Sequence, residues 1–273
     1  HGGTPYPVWH DVAIENLVLR NDGTIFEGTK GGGDPIEFDN VVFDNVKFDL
    51  TGDAYFVFTP DSEGNTSYLS DEGLTFKNSE FVVGNNYPGP GVIGAWGGFA
   101  GDGAFTITSS SFSSSYSGFT GFLRVEAWGP ETTVNITDNQ FQASQRGYLL
   151  LAGEGIGSSQ GPEDADVSGN YFEGTSLWML GAANYDVTRN SFSDITQGVY
   201  DSVIPMMATW GKTTNKNITL SRNTFEDVSV DGIKLFGYDA EPTGETYKDV
   251  DFTYNDFSGI AGTAVLNSYE TVM

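Results

Sequence analysis

Short runs in which apolar and polar residues alternate recur along the whole chain. Each is followed by a brief polar phrase, an apolar residue that is most often Phe, and a second run bounded by Gly. VNIT, YDVT, NITL and VDFT are first runs; GYLLLAG, SLWMLG, GIKLFG and GTAVLN are second runs. A period of two predicts strands with one side buried, where helices would need a period near 3.6. The polar phrase itself repeats, as TDNQFQA, SGNYFEG, TRNSFSD, SRNTFED and TYNDFSG.

Five copies align on a pair of apolar residues, Ile136 and Phe141, Val167 and Phe172, Val187 and Phe192, Leu220 and Phe225, and Phe252 and Phe257. The fourth place is always Asn: Asn139, Asn170, Asn190, Asn223 and Asn255. Upstream, Ser79 and Ser110 fill that place between Phe76 and Phe81 and between Ile107 and Phe112. Looser copies run from Phe43 to Phe48 and from Ile14 to Leu19. The second apolar residues of these nine copies are spaced by 29, 33, 31, 29, 31, 20, 33 and 32 residues. A period in this range predicts a solenoid, a propeller or an array.

Two strand runs per copy, with an Asn that tolerates left-handed backbone between them, predict a bent coil rather than a hairpin. If coils stack, the Asn amides align and hydrogen-bond along the axis while the following Phe turns inward onto its neighbours. A propeller needs hairpin turns and about four antiparallel strands per blade, and the sequence lacks both signals. From Ile14 to about Leu266 the pattern resembles the right-handed parallel β-helix superfamily, the pectate-lyase-like fold, whose members carry internal Asn ladders and stacked aromatics. The expectation is an all-β chain forming one domain over 1–273, with about nine coils in a rod about 40 Å long. Loops are expected at 59–71, 85–90, 155–164, 209–216 and 239–248.

Composition narrows the partners. With 12 basic and 37 acidic residues the formal charge is −25, which repels nucleic acid and anionic lipid and suits high salt or divalent cations. No apolar stretch is long enough for a membrane span. With 36 Gly and 10 Pro, the Gly and Pro content, about 17%, lies below that of low-complexity chains, so the glycines read as turns. The chain has no Cys. Low Lys, abundant Asn, Ser, Thr and Gly, and a start at His1 lead us to expect a processed, extracellular or cell-surface protein.

Candidate chemistry is of four kinds. Trp96, Trp128 and Trp210, with Tyr238 and Tyr269, close second runs; counted at period two, the indoles share an outward face with Arg124 and Glu126. Rings beside Arg and Glu suit a polysaccharide, or packing against another subunit. Catalysis in the family that the chain resembles implies clustered Asp with Arg or Lys, often with Ca2+. Asp227, Asp231 and Lys234, with Arg222 one corner away, are the nearest match, but no Arg-x-Lys pair accompanies them. Asp61, Glu63 and Asn65, two apart before a turn, form a candidate Ca2+ loop without the later bidentate Glu. Sequons stand at Asn65, Asn135 and Asn217. His1 and His10 are the two histidines, both far from the expected cleft.

Neither end reads as a cap: HGGTPYPVWHDVAIENLVL has no helical period, and GTAVLNSYETVM stops soon after the last coil. Three functions stay open. The favoured one is a non-enzymatic structural β-helix that self-associates head to tail into a filament, sheath or surface layer. The others are a polysaccharide lyase or hydrolase, and a carbohydrate-binding or adhesive module.

Overall fold

The computed structural model describes residues 8–20, 26–27, 36–51, 58–59, 67–84, 91–95, 98–125, 128–152, 162–208, 215–237 and 247–267. The described residues contain strands and turns and no helix. Every strand pairing between coils is parallel, so each coil lays the same sequence phrase on the one before it. The result is a parallel β-solenoid with three faces.

The first face stacks nine strands in chain order, from Val8–Glu15 through Ser67–Lys77, Thr133–Thr137 and Ala183–Thr188 to Tyr247–Thr253. The second face begins at Val18–Arg20 and Lys47–Leu50 and continues through Ser111–Ser114 to Thr224–Glu226. The third contains Phe119–Val125, Ser202–Ala208 and Asp231–Gly237. Gln140–Ala152 and Tyr171–Leu180 run around the edge between the second and third faces, and their pairing register shifts there between Gln142 and Gly147. The shortest repeat, from Phe172 to Phe192, is a coil with almost no loop: Gly181, at φ 53°, turns the chain from the third face straight into the next strand of the first.

The repeated phrase does what its register predicts. Ile14, Phe43, Phe76, Ile107, Ile136, Val167, Val187, Leu220 and Phe252 lie opposite one another in successive first-face strands. Around the corner, Phe48, Phe81, Phe112, Phe141, Phe172, Phe192, Phe225 and Phe257 form a continuous column of stacked rings. Neighbouring centroids lie between 4.1 Å, for Phe81 and Phe112, and 5.2 Å, for Phe141 and Phe172.

The ladder is continuous from Ser79 to Asn255. The backbone N–H of Ser79 donates to Ser110 Oγ at 3.0 Å, that of Ser110 to Asn139 Oδ1 at 2.9 Å, and so on through Asn170, Asn190 and Asn223 to Asn255. Each of Asn139, Asn170, Asn190 and Asn223 also donates from Nδ2 to the next Oδ1 at 3.0 Å and to a carbonyl of the preceding coil. These side chains are buried with their amide groups fully used.

One expectation about the corner needs correcting. The left-handed residue is the one before the ladder position: Asn78, Ser109, Asp138, Gly169, Arg189, Arg222 and Tyr254, with φ from 50° to 67°. The bend comes first, and it aims the following amide into the interior, where it has only other coils to bond. Asn is needed for its two-sided amide, and the bend tolerates even Arg and Tyr because its side chain points into solvent. The expected loops fall largely outside the described residues. Their far ends are strand: Ser67, Asp164, Asn215 and Tyr247 each open a first-face strand.

Candidate functional site

The site residues expected from sequence divide three ways. Trp96, Glu126, Trp210, Tyr238 and Tyr269, and the Ca2+ loop candidates Asp61, Glu63 and Asn65, lie outside the described residues. Among the described residues no group of three or more His, Asp or Glu side chains is arranged to hold a metal ion.

Trp128 corrects the reading of a surface indole row. It is fully buried, with its ring 5.8 Å from Phe99 and 5.6 Å from Phe105 in the core. Counting at period two from Arg124 does not carry to Trp128, because the strand ends at Val125. Trp128 meets the interior beside Tyr185, whose hydroxyl burial pushes far above the usual phenol range. Arg124 itself points outward from the third face, opposite Leu150.

The catalytic cluster is not assembled either. Arg222 occupies the left-handed corner before the second face, and Asp227 the corner after it, at φ 52°. Asp231 accepts a hydrogen bond from the backbone N–H of Thr263 at 2.8 Å, so it ties the last two coils together. Lys234 donates to the carbonyl of Tyr200 at 3.0 Å. Arg222 and Asp227 thus stand at two corners, while Asp231 and Lys234 share the third-face strand Asp231–Gly237 with each held by its own backbone partner.

The third face carries what sequence reading missed. Phe119, Tyr148, Trp178, Tyr200 and Phe236, one ring from each of five consecutive coils, form an outer aromatic run. Centroid separations fall from 6.3 Å at Phe119 and Tyr148 to 5.0 Å at Tyr200 and Phe236. Leu150 and Val199 pack beneath, in a cluster separate from the main core. Cations flank both ends: Arg146 lies 4.2 Å from the Phe119 ring centre and Lys234 lies 5.7 Å from that of Phe236. Phe119 is 46% and Tyr200 38% exposed. The signal was in the second runs: YLLLA, LWML and KLF are apolar at both parities, which means a strand covered on both sides or sticky on its outside.

A small polar site marks the first coil. His10 sits between two carboxylates, with Nδ1 bonded to Asp39 of the second coil and Nε2 3.1 Å from Asp11, which also accepts from Asn40 Nδ2. The hydrogen bond to Asp39, then the charge of Asp11, raises the imidazole above its ordinary pKa. A raised folded-state value means that the bridge stabilises fully below the unfolded value of 6.5 and is lost as pH rises through the raised one. First-coil amides should therefore exchange faster as pH rises above 6.5, beyond the intrinsic base-catalysed increase, and His10→Asn should remove that excess. Parent and variant with the same corrected profile would show that the bridge does not hold the coil.

No family model, no curated protein and no solved structure matches the chain.

Proposed function

We propose that the chain is an extracellular, non-enzymatic structural β-helix that associates head to tail with copies of itself, in a filament or surface layer. The supporting observation is the exposure of core positions at both end coils. Leu17, which stands one coil before Val46 in the same place, is 47% exposed where Val46 is 1% exposed. At the other end Phe252, Phe257 and Ile260 are only partly buried, while Leu220, Phe225 and Val228 in the coil before are at most 1% exposed. Among the described residues, Val8–Glu15 and Tyr247–Thr253 each pair with one first-face neighbour.

An end coil of a second copy offers both a matching apolar cross-section and complementary N–H and C=O rows, in a heterologous contact that propagates. The Asn and Phe columns support placing the chain in the right-handed, pectate-lyase-like superfamily, and the acidic, Lys-poor composition supports an extracellular setting. The charge of −25 opposes stacking, so association should strengthen with NaCl or CaCl2 as the Debye length falls to about 10 Å at 0.1 M. Light scattering across a salt series, with electron microscopy of the same samples, tests this. Growth along the rod axis that Leu17→Lys abolishes is the expected result; a parent that stays monomeric at every concentration and ionic strength overturns the proposal.

A further inference from the structure

We propose that Arg189, Arg222 and Tyr254, which stand on three consecutive coils at the corner between the first and second faces, form a binding site for a phosphate monoester carried on a ring. The site faces outward from the corner and does not depend on head-to-tail association.

The residue choices at this corner point to it. In the earlier coils its left-handed place is filled by Asn16, Asn45, Asn78, Ser109, Asp138 and Gly169, and all but Ser109 are residue types that favour this backbone. In the next three coils the place is filled by Arg189, Arg222 and Tyr254, at φ 56°, 57° and 57°. Long side chains and rings gain nothing from left-handed backbone, and residues held in it at some cost gather at binding sites. The register sets the three side by side. Thr188, Ser221 and Thr253 before them pair in turn, and so do Ser191, Thr224 and Asp256 after them. All three are exposed, Tyr254 by 85%.

The charges lead to the same place. The chain has 12 basic residues against 37 acidic ones, and in the early coils Arg20, Lys47 and Lys77 each pair with a carboxylate, of Asp49, Glu80 and Asp44. Arg189 and Arg222 pair with none among the described residues, although strand spacing sets their backbones only about 4.8 Å apart. Asp138, two coils before Arg189 at the same corner, leans over Gly169 instead: a Cβ added at Gly169 would meet its Oδ1 at 2.4 Å. Adjacent like charges repel unless an anion joins them. A carboxylate fills one guanidinium fork and leaves the second charge unmatched, whereas a phosphate monoester brings close to two negative charges and three acceptor oxygens, enough for both. Hydroxyls flank the pair, those of Thr188 and Ser221 on one side and those of Ser191 and Thr224 on the other. Asp186, Glu226, Asp251 and Asp256 stand exposed nearby, which disfavours a long polyanion and leaves a compact dianion. The exposed Tyr254 ring, next in the column, offers its face to the ring that carries the phosphate.

Isothermal titration calorimetry at fixed ionic strength, with phenyl phosphate, methyl phosphate and benzoate as probes, tests the site. Phenyl phosphate should saturate at one per chain and bind about fivefold tighter than methyl phosphate through the Tyr254 ring. R189Q and R222Q should each weaken it roughly tenfold or more, the size of a lost hydrogen bond to a charged group. Y254A should bring phenyl phosphate to the level of methyl phosphate and leave methyl phosphate unchanged. Lys77→Gln removes a cation already paired with Asp44 and should leave binding unchanged. Thermal unfolding that matches the parent confirms that these surface variants fold. The proposal is overturned if the parent binds neither phosphate saturably, if R189Q or R222Q binds like the parent, if benzoate binds as tightly as phenyl phosphate, or if phenyl phosphate is no tighter than methyl phosphate.

Discussion

Phe172→Ala should cost about 4 kcal/mol, the usual size for emptying a fully buried aromatic site. Phe172 stacks on Phe141 at 5.2 Å and on Phe192 at 4.7 Å, and it is fully buried. It opens the shortest repeat, where Gly181 turns the chain directly into the next strand, so there is little loose chain to collapse into the space. The two rings beside it would each lose a stacking partner as well. Phe257→Ala, in the half-buried last coil, should cost roughly 1 to 2 kcal/mol by the same reasoning scaled to the smaller area buried. Urea denaturation of both variants measures the difference. Equal losses at the two positions would mean that the rings contribute separately, without the coil-to-coil column described above.

How far the sequence alone carries depends on whether a property repeats. The Asn and Phe columns were legible because the same frame recurs nine times, and parallel stacking converts a fixed offset within a repeat into a fixed position in space. The exact bend was not legible: Asn139 and Asp138 are both residues that tolerate left-handed backbone, and only Arg189, Arg222 and Tyr254, at φ 56° to 57°, show that the earlier place takes that conformation. Candidate sites fared worse because they were assembled by counting along a strand. Parity held from Arg124 to Val125, where the strand ends, and did not extend to Trp128, which is buried. Tyr148, Trp178 and Phe236 went unnoticed because runs apolar at both parities look like interior. Their outward side is visible only once Leu149, Leu177 and Leu235 are seen to face the core cluster on the other side of the sheet. The acid pair Asp227 and Asp231 looked like a site because the family that the chain resembles implies clustered Asp with Arg or Lys on one strand face. In this coil they span a corner.

Asn190→Leu should destabilise the chain as strongly as the lost ring, by about 4 kcal/mol, although the replacement is apolar and similar in size. Asn190 stands in the middle of the ladder, wholly buried. Its Oδ1 accepts from the backbone N–H of Asn170 at 2.9 Å and from Asn170 Nδ2 at 3.0 Å, and its Nδ2 donates to the carbonyl of Val167 at 2.8 Å and to Asn223 Oδ1 at 3.0 Å. Leucine makes none of these bonds. It leaves two donors on Asn170 and the carbonyl of Val167 buried with one fewer partner each, at about 1 to 3 kcal/mol for every such group before relaxation. Nearby coils can recover part of that by shifting, which is why the expected total sits near the lower end of the sum. Asn135→Leu is the control, because Asn135 faces outward and bonds weakly, at 3.4 Å, to Thr106 Oγ1; it should change stability by less than about 0.5 kcal/mol. A solenoid transmits stability through neighbours, so cutting the ladder at its centre should also broaden the transition. The coils from Ser79 to Asn170 and those from Asn223 to Asn255 would then unfold less cooperatively, seen as a lower urea m-value beside the lower midpoint. Parallel urea curves for Asn190→Leu and Asn135→Leu, alike in midpoint and slope, would mean that the ladder contributes nothing to cooperativity and that the Phe column alone joins the coils.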